Sequence, residues 1–179
     1  ISTRSYSRAP QSVDVATRTF GMIVSTETPV RTHILDPRTY VYVEADEVLK
    51  ADGLDLSRAA GMPLVDTHNT WGSITNILGR VFNVRVEEGV VVADAQLNSR
   101  NADLIADIAE GHYAHVSVGY TVDPADYEIQ DRPGNVPLAI AKRWRLDEVS
   151  LVPLGADPNA SIRSRGGRNQ NKRENAMDD

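Results

Sequence analysis

The sequence predicts an α+β fold that is mainly antiparallel β, either a curled sheet or a small barrel with one or two inserted helices. Three observations predict it. Runs of β-branched and aromatic residues alternate with polar residues, two such runs are separated by hairpin distance, and one stretch has helical spacing. The chain has 179 residues, of which 41% are hydrophobic and 6% aromatic, and this indicates about one domain.

The strand signal is strongest at residues 77–86 and 90–97. Only the tripeptide Glu-Glu-Gly at 87–89 separates these two runs, and that spacing is typical of a hairpin. Further strands are predicted at residues 13–25, 40–44, 63–67 and 114–122, with one long bent strand or two strands at 138–151.

One amphipathic helix is predicted over residues 101–112. Its apolar residues recur at helical spacing, and Gly111 favours a stop. Residues 54–60 predict a second, short helix. Because strands outnumber helices and do not alternate with them, the pattern disfavours a parallel βαβ sheet.

The two ends differ in composition from the middle of the chain. Residues 1–12 are predicted to be a flexible arm, 13–160 the folded domain, and 161–179 a disordered basic tail. The tail carries a net charge of +2 and the rest of the chain −8. An acidic body disfavours nucleic-acid binding, which requires a basic face. The start at Ile1 instead of Met favours a piece of a longer or processed chain.

Composition excludes several classes of protein. The absence of cysteine rules out disulfide scaffolds, thiolate zinc sites and cysteine nucleophiles. No apolar run reaches the roughly 20 residues that a membrane-spanning helix needs. We therefore expect a soluble, intracellular protein that binds neither membrane nor nucleic acid.

Three short segments carry the residues of a serine hydrolase: DTH at 66–68, VSVGY at 116–120 and DEVSLV at 147–152. A serine hydroxyl is a poor nucleophile until an imidazole takes its proton, and the imidazole works best when a third group orients it. Ser117, His68 and Glu148 are the candidates for these roles. Gly119 leaves room for a substrate backbone to approach the serine.

Structural interpretations compete with each of these roles. Ser117 fits a small residue on one face of a strand, His68 a solvated strand end, and Glu148 an acid paired with Arg143 or Arg145. His112 and His115 are three residues apart, and with His33 or His68 they form a conceivable metal group. They lack an HExxH pattern, so we predict no metal site. Gly166-Gly167 lacks the flanking strand and helix of a phosphate loop, so we predict no cofactor.

Taken together, the motifs resemble the caudoviral prohead protease family of the HK97 type, which is distantly similar to the herpesvirus assemblin proteases. The resemblance covers residues 12–163. MPLVDTH at 62–68 resembles the strand that presents the catalytic histidine in that family, and ILGRV at 77–81 the strand after it. A helix followed by VSVG at 116–119 resembles the nucleophile motif, and EVSLVP at 148–153 with ADP at 156–158 the third motif.

The resemblance implies a curled or closed β-barrel with flanking helices and a Ser117–His68–Glu148 protease. In assemblins the third member is a second histidine on the equivalent strand, where this chain has Glu148. The adjacent Asp147 is an alternative, although its side chain should point to the opposite face of a regular strand.

The implied role is capsid maturation: cleavage of scaffold and capsid-protein extensions, and of the protease itself, inside an assembling procapsid in the host cytoplasm. The expected substrates are the major capsid protein and the scaffold. Because the family includes fusions, the tail is interpreted as a linker to a capsid or scaffold segment, and because assemblins act as dimers we expect a homodimer.

Two other functions remain open from the sequence. A non-catalytic scaffolding or structural β-barrel protein of the virion would keep the fold without using the triad. An esterase would need a G-x-S-x-G elbow, and the residue two before Ser117 is His115 instead of glycine.

Overall fold

The protein is described by a computed structural model over residues 12–163. Its strands are β1 (Thr19–Ser25), β2 (Val30–Leu35), β3 (Tyr42–Leu49), β4 (Leu54–Asp55), β5 (Pro63–Asp66), β6 (Ile77–Glu87), β7 (Val90–Leu97), β8 (His115–Thr121), β9 (Tyr127–Gln130), β10 (Leu138–Ala141), β11 (Trp144–Val152) and β12 (Ser161–Ile162). The helices are α1 (Leu104–Glu110) and 3₁₀ turns at Ala51–Gly53, Ile74–Asn76, Ser99–Asn101 and Pro124–Asp126.

Seven strands close into a mixed β-barrel in the order β11, β5, β6, β7, β1, β12, β8 and back to β11, and α1 flanks it. β4 extends the sheet beyond β11. Most neighbours are antiparallel, but β4 and β5 run parallel to β11. The predicted α+β barrel is confirmed.

Alternating apolar residues fill the barrel. On β1, Phe20, Met22 and Val24 are almost fully buried, and they meet large side chains from the opposite wall such as Trp144 and Leu146 of β11. Burial of one such side chain stabilises the fold by about 1.5–3 kcal/mol. The same period-2 alternation turns the intervening residues of each strand outward.

A second, four-stranded sheet in the order β2, β3, β10, β9 has a small core of its own. Leu49 of β3 packs against the barrel core, and a polar contact adds to this link. The buried carboxylate of Glu47 on β3 accepts hydrogen bonds from the hydroxyls of Tyr120 on β8 and Tyr127 on β9. Burial and the nearby carboxylate raise the pKa of both tyrosines, so both hydroxyls keep their protons and donate.

Several predicted elements match the structure. The hairpin is β6–β7, the helix is shortened to α1, and Gly111 ends it at φ +85°. Residues 138–151 form two strands in different sheets, β10 and β11.

Other predictions were wrong. No short helix occupies residues 54–60: Leu54 and Asp55 pair with Trp144 and Arg145 of β11, which gives the backbone a sheet partner. The first strand begins only at Thr19, because a tight turn closed by the Asp14–Thr19 bridge precedes it. The sequence reading did not identify β2, β9 or β12.

The predicted domain end at residue 160 also lies too early. Ser161 and Ile162 form β12, which completes the barrel between β1 and β8. The backbone N–H of Ser12, at the end of the predicted arm, donates to the carbonyl of Arg163. The rest of the arm and tail lies outside the described residues. No helix within residues 12–163 is both long and apolar enough to cross a bilayer.

Candidate active site

The candidate residues gather on the outer face of the barrel, where β8 and β11 pair. The antiparallel register places Ser117 opposite Ser150, and Gly119 opposite Glu148. Directly opposed residues project to the same face, with Cβ atoms about 4.5–5.5 Å apart. Val116 is buried in the core and the side chain of Ser117 is therefore turned outward. The register thus brings Ser117 and Glu148, 31 positions apart in the chain, onto one face of the barrel.

A β-bulge at Asp147 affects the direction of both adjacent acids. The register shifts between Leu146 and Glu148, while Leu146 and Val149 are both buried in the barrel core. Two residues lie between those core positions, so Asp147 and Glu148 are both directed outward. The expectation that Asp147 would point to the opposite face applied to a regular strand, and the bulge makes the strand irregular there.

Asp147 belongs to a different group of side chains. It accepts hydrogen bonds from Thr121 Oγ1 at 2.6 Å and Arg145 Nε at 2.7 Å. Arg143 pairs with Asp55 instead. Neither arginine that the structural interpretation assigned to Glu148 contacts it through a salt bridge within the described residues. Glu148 is therefore the acid available to an imidazole.

His68 reaches this face because β5 runs parallel to β11 and ends beside it. Asp66, the last residue of β5, pairs with Leu151. The next two residues both adopt the left-handed conformation, Thr67 at φ +48° and His68 at φ +57°. Such a conformation costs on the order of 1–3 kcal/mol at a residue other than glycine, most of all at a β-branched one. Backbone strain of this kind is concentrated at functional sites.

Two hydrogen bonds to β11 hold the strained turn. The backbone N–H of Thr67 donates to the carbonyl of Leu151 at 3.0 Å, and that of His68 donates to Ser150 Oγ at 3.0 Å. The chain thereby turns back over β11 and carries the imidazole toward Glu148.

His68 and Glu148 form a close pair. Nδ1 of His68 lies 2.6 Å from Oε1 of Glu148, and the Glu148 side chain is only 6% exposed whereas that of His68 is 43% exposed. The hydrogen bond to the carboxylate raises the pKa of His68, against the opposing effect of desolvation. With Nδ1–H donated to Glu148, Nε2 carries the lone pair that a general base needs.

The other oxygen of Glu148 is also bound. Ser150 Oγ donates to Oε2 at 2.8 Å, and Ser150 is fully buried. Both carboxylate oxygens therefore have a fixed partner, which defines the plane of the carboxylate group.

Gly119 makes room for this carboxylate. A Cβ atom at position 119 would lie 2.3 Å from Oε1 and 2.7 Å from Cγ of Glu148. The sequence interpretation assigned that space to an approaching substrate, but the Glu148 side chain occupies it. The glycine of the VSVG motif is thus required by the acid opposite it on β11.

Ser117 is partly exposed in the same row of side chains. Across residues 12–163, no hydrogen bond joins its hydroxyl to His68; the two are brought together only through the register with Ser150. Catalytic hydrogen bonds are often long in the absence of substrate and tighten when it binds.

A shallow groove of about 200 Å³ borders the turn that carries His68. Pro63 and Val65 of β5 line it together with Ile74 and Ile77. Trp71, in the same loop, and Ile74 are each 86% exposed. The groove also has polar lining residues, Asn69, Thr70 and Ser73, and it begins one residue beyond His68 in the chain.

The histidines outside this site do not join it. His112 pairs with Glu110 on the surface, and these two with Asp107 could hold a metal ion, but all three are at least partly exposed and exposed acidic groups are common without one. His33 and His115 are not part of that group. Gly166-Gly167 lies outside the described residues.

Sequence reasoning missed Ser150, although one signal was available. Ser150 lies two positions after Glu148 along the strand, so both side chains point to one face. The left-handed turn at Thr67 and His68 carried no such signal, since a β-branched residue such as Thr67 rarely adopts that conformation.

Comparisons with protein-family models, with curated proteins and with solved structures found no match to this chain. The resemblance to prohead proteases stays a prediction.

Proposed function

We propose that this protein is a serine endopeptidase with Ser117 as nucleophile, His68 as general base and acid, and Glu148 as the group that orients the imidazole. The observation that carries the proposal is the 2.6 Å bond between His68 Nδ1 and the buried Glu148, on the same barrel face as Ser117. Ser117 and Glu148 lie on paired strands of the barrel wall and His68 directly follows the end of a third strand, and rigid elements of this kind suit catalytic placement.

The proposed reaction is acyl transfer. His68 Nε2 takes the proton of Ser117 Oγ as that oxygen attacks the peptide carbonyl, and the imidazolium is stabilised by Glu148. The tetrahedral intermediate collapses, the C–N bond breaks, and His68 returns the proton to the leaving amine. Water then attacks the acyl ester. His68 takes a proton from the water and gives a proton to Ser117 Oγ as the ester bond breaks, which restores the free serine. The apolar residues in the groove that borders the turn after β5, Pro63, Val65, Ile74 and Ile77, support an apolar substrate side chain near the scissile bond.

The biological role that we propose for this endopeptidase is capsid maturation. Its support is the order and separation of the three motifs that resemble prohead proteases, at 62–68, 116–119 and 148–153. In this role the protease acts on scaffold and capsid-protein extensions, and on itself, within an assembling procapsid, and it works as a homodimer.

A second candidate is a non-catalytic structural barrel of the virion. The observation that favours it is that no hydrogen bond joins Ser117 to His68 within the described residues. In that case the His68–Glu148 pair would only fasten the turn after β5 to β11.

Labelling with a fluorophosphonate separates the two candidates. In an active site, Ser117 Oγ forms a bond to phosphorus, fluoride leaves and His68 takes the serine proton. We expect intact-mass and peptide analysis of the 179-residue chain to find one adduct, on Ser117, and the Ser117→Ala variant to take up none.

Ser99→Ala is the matched control, since Ser99 lies in an exposed 3₁₀ turn. It should label at the parental rate. Absence of any adduct on the parent chain, or an adduct that persists in Ser117→Ala, would sink the protease proposal. Loss of mass from the parent chain on standing, but not from Ser117→Ala, would add support for self-cleavage.

A further inference from the structure

Ser150 combines three properties. It is completely buried, its hydroxyl donates to Glu148 Oε2, and the same oxygen accepts the backbone N–H of His68. One hydroxyl therefore contacts both members of the His68–Glu148 pair, and it does so from the position directly opposite Ser117.

Each of these hydrogen bonds has its own consequence. The bond from His68 N–H holds a left-handed residue in place, so it limits where the imidazole can lie. The bond to Oε2 limits rotation of the carboxylate and so keeps Oε1 directed at Nδ1. A buried hydroxyl that donates to one group and accepts from another is held from both sides, which favours a single orientation.

We propose that Ser150 is a positioning residue that sets the geometry between His68 and Glu148, acting through both of them and touching no substrate. Its effect on catalysis rests on the proposed protease function, whereas its effect on the pair does not.

Ser150 is distinguished from a second nucleophile by its surroundings. Its side chain has no access to solvent and its proton is directed at a carboxylate, whereas Ser117 is partly exposed. The two serines face each other across the strand pair, and the structure assigns them different roles.

The test compares Ser150→Ala and Ser150→Cys with Ser25→Ala in the full chain. Cysteine keeps the size of the side chain but is a weak donor and acceptor. Ser25 is a matched control, because it is also buried in a barrel strand but its hydroxyl bonds the adjacent Thr26 carbonyl.

Two measurements by nuclear magnetic resonance require no activity: the His68 Nδ1–H proton signal and the hydrogen exchange of the His68 amide. In Ser150→Ala we expect the Nδ1–H signal to broaden or vanish and the amide to exchange at least tenfold faster, since its acceptor is gone. The amide of Thr67, which donates to Leu151, should keep its protection. Ser150→Cys should fall between alanine and the parent, and Ser25→Ala should match the parent.

The third measurement is the rate of fluorophosphonate labelling at Ser117, which should fall at least tenfold in Ser150→Ala and stay within twofold in Ser25→Ala. The inference is overturned if both Ser150 variants keep the Nδ1–H signal and the amide protection of the parent. If the parent chain does not label, the protease proposal fails, but the two resonance measurements still decide whether Ser150 positions the pair.

Discussion

Two histidine–carboxylate pairs in this molecule contain the same chemical groups in opposite surroundings. His68 and Glu148 are 80 residues apart and meet at 2.6 Å, with the Glu148 side chain 6% exposed. His112 and Glu110 are two residues apart and meet at 3.1 Å, with both side chains about two-thirds exposed. The first pair is built by the barrel and the second by local chain geometry alone.

The difference shows what makes such a pair useful. Exposed ion pairs contribute about 0–1 kcal/mol, because water screens the charges and both side chains lose freedom. At Glu148 a further donor, Ser150, and the absence of a Cβ at Gly119 keep the carboxylate in one orientation. Nothing comparable holds Glu110 among the described hydrogen bonds. A fixed, buried acid is what an orienting role requires.

The largest expected contrast comes from removing each imidazole. His68→Ala should lower the labelling rate of Ser117 by about 10⁴–10⁶, because the serine loses its base. His112→Ala should leave the rate unchanged within twofold. The measurement is the second-order rate constant with a fluorophosphonate. An equal effect of the two variants would contradict the assignment of the base.

Replacing each acid should give a smaller contrast. Glu148→Gln should slow labelling by about 10³–10⁴, since the imidazole loses its orientation and its counter-charge. Glu110→Gln is the control and should have no effect. A Glu148→Gln variant with parental activity would remove Glu148 from the proposed triad.

The pH dependence of Ser117 labelling should also depend on Glu148. Because Glu148 raises the pKa of His68 above its ordinary 6.5, the acid limb of the labelling profile should lie above pH 6.5 in the parent. In Glu148→Gln it should move to pH 6.5 or below, because burial alone lowers the pKa.

The pair should stabilise the fold fully below about pH 6.5, and this contribution should disappear as the pH rises through the folded-state pKa. Titration of the His68 ring signals checks both directions.

The smallest effects are expected at two glycines, one beside each histidine–carboxylate pair. Gly119→Ala forces a Cβ onto the Glu148 carboxylate and should destabilise the protein by about 1–3 kcal/mol while also weakening the His68 Nδ1–H signal. Gly111→Ala meets no neighbour within 4 Å, so only its left-handed backbone is strained, at about 1 kcal/mol. Chemical denaturation gives the free energies of unfolding. A Gly111→Ala variant that changed the His68 signal would contradict the view that the two histidine–carboxylate pairs are independent.

The elements that were predictable from sequence are those whose cause is local. The β6–β7 hairpin follows from alternation around a Glu-Glu-Gly turn, and the end of α1 from Gly111. Leu54 and Asp55 show the limit, because their strand conformation comes from a partner 90 residues away in β11. Local propensity contains no information about such a partner.

The site divides in the same way. From the residues alone, Ser117, His68 and Glu148 were candidates, because few residue types can act as nucleophile, base and orienting acid. Only the tertiary structure distinguished Glu148 from Asp147. A bulge turns both side chains outward, but Asp147 bonds Arg145 whereas Glu148 bonds His68. The structure also revealed the two hydrogen bonds of Ser150, and it showed that the Glu148 side chain fills the space beside Gly119. Residue chemistry is written in the sequence, whereas strand register and backbone strain arise from packing between segments that are distant in the chain.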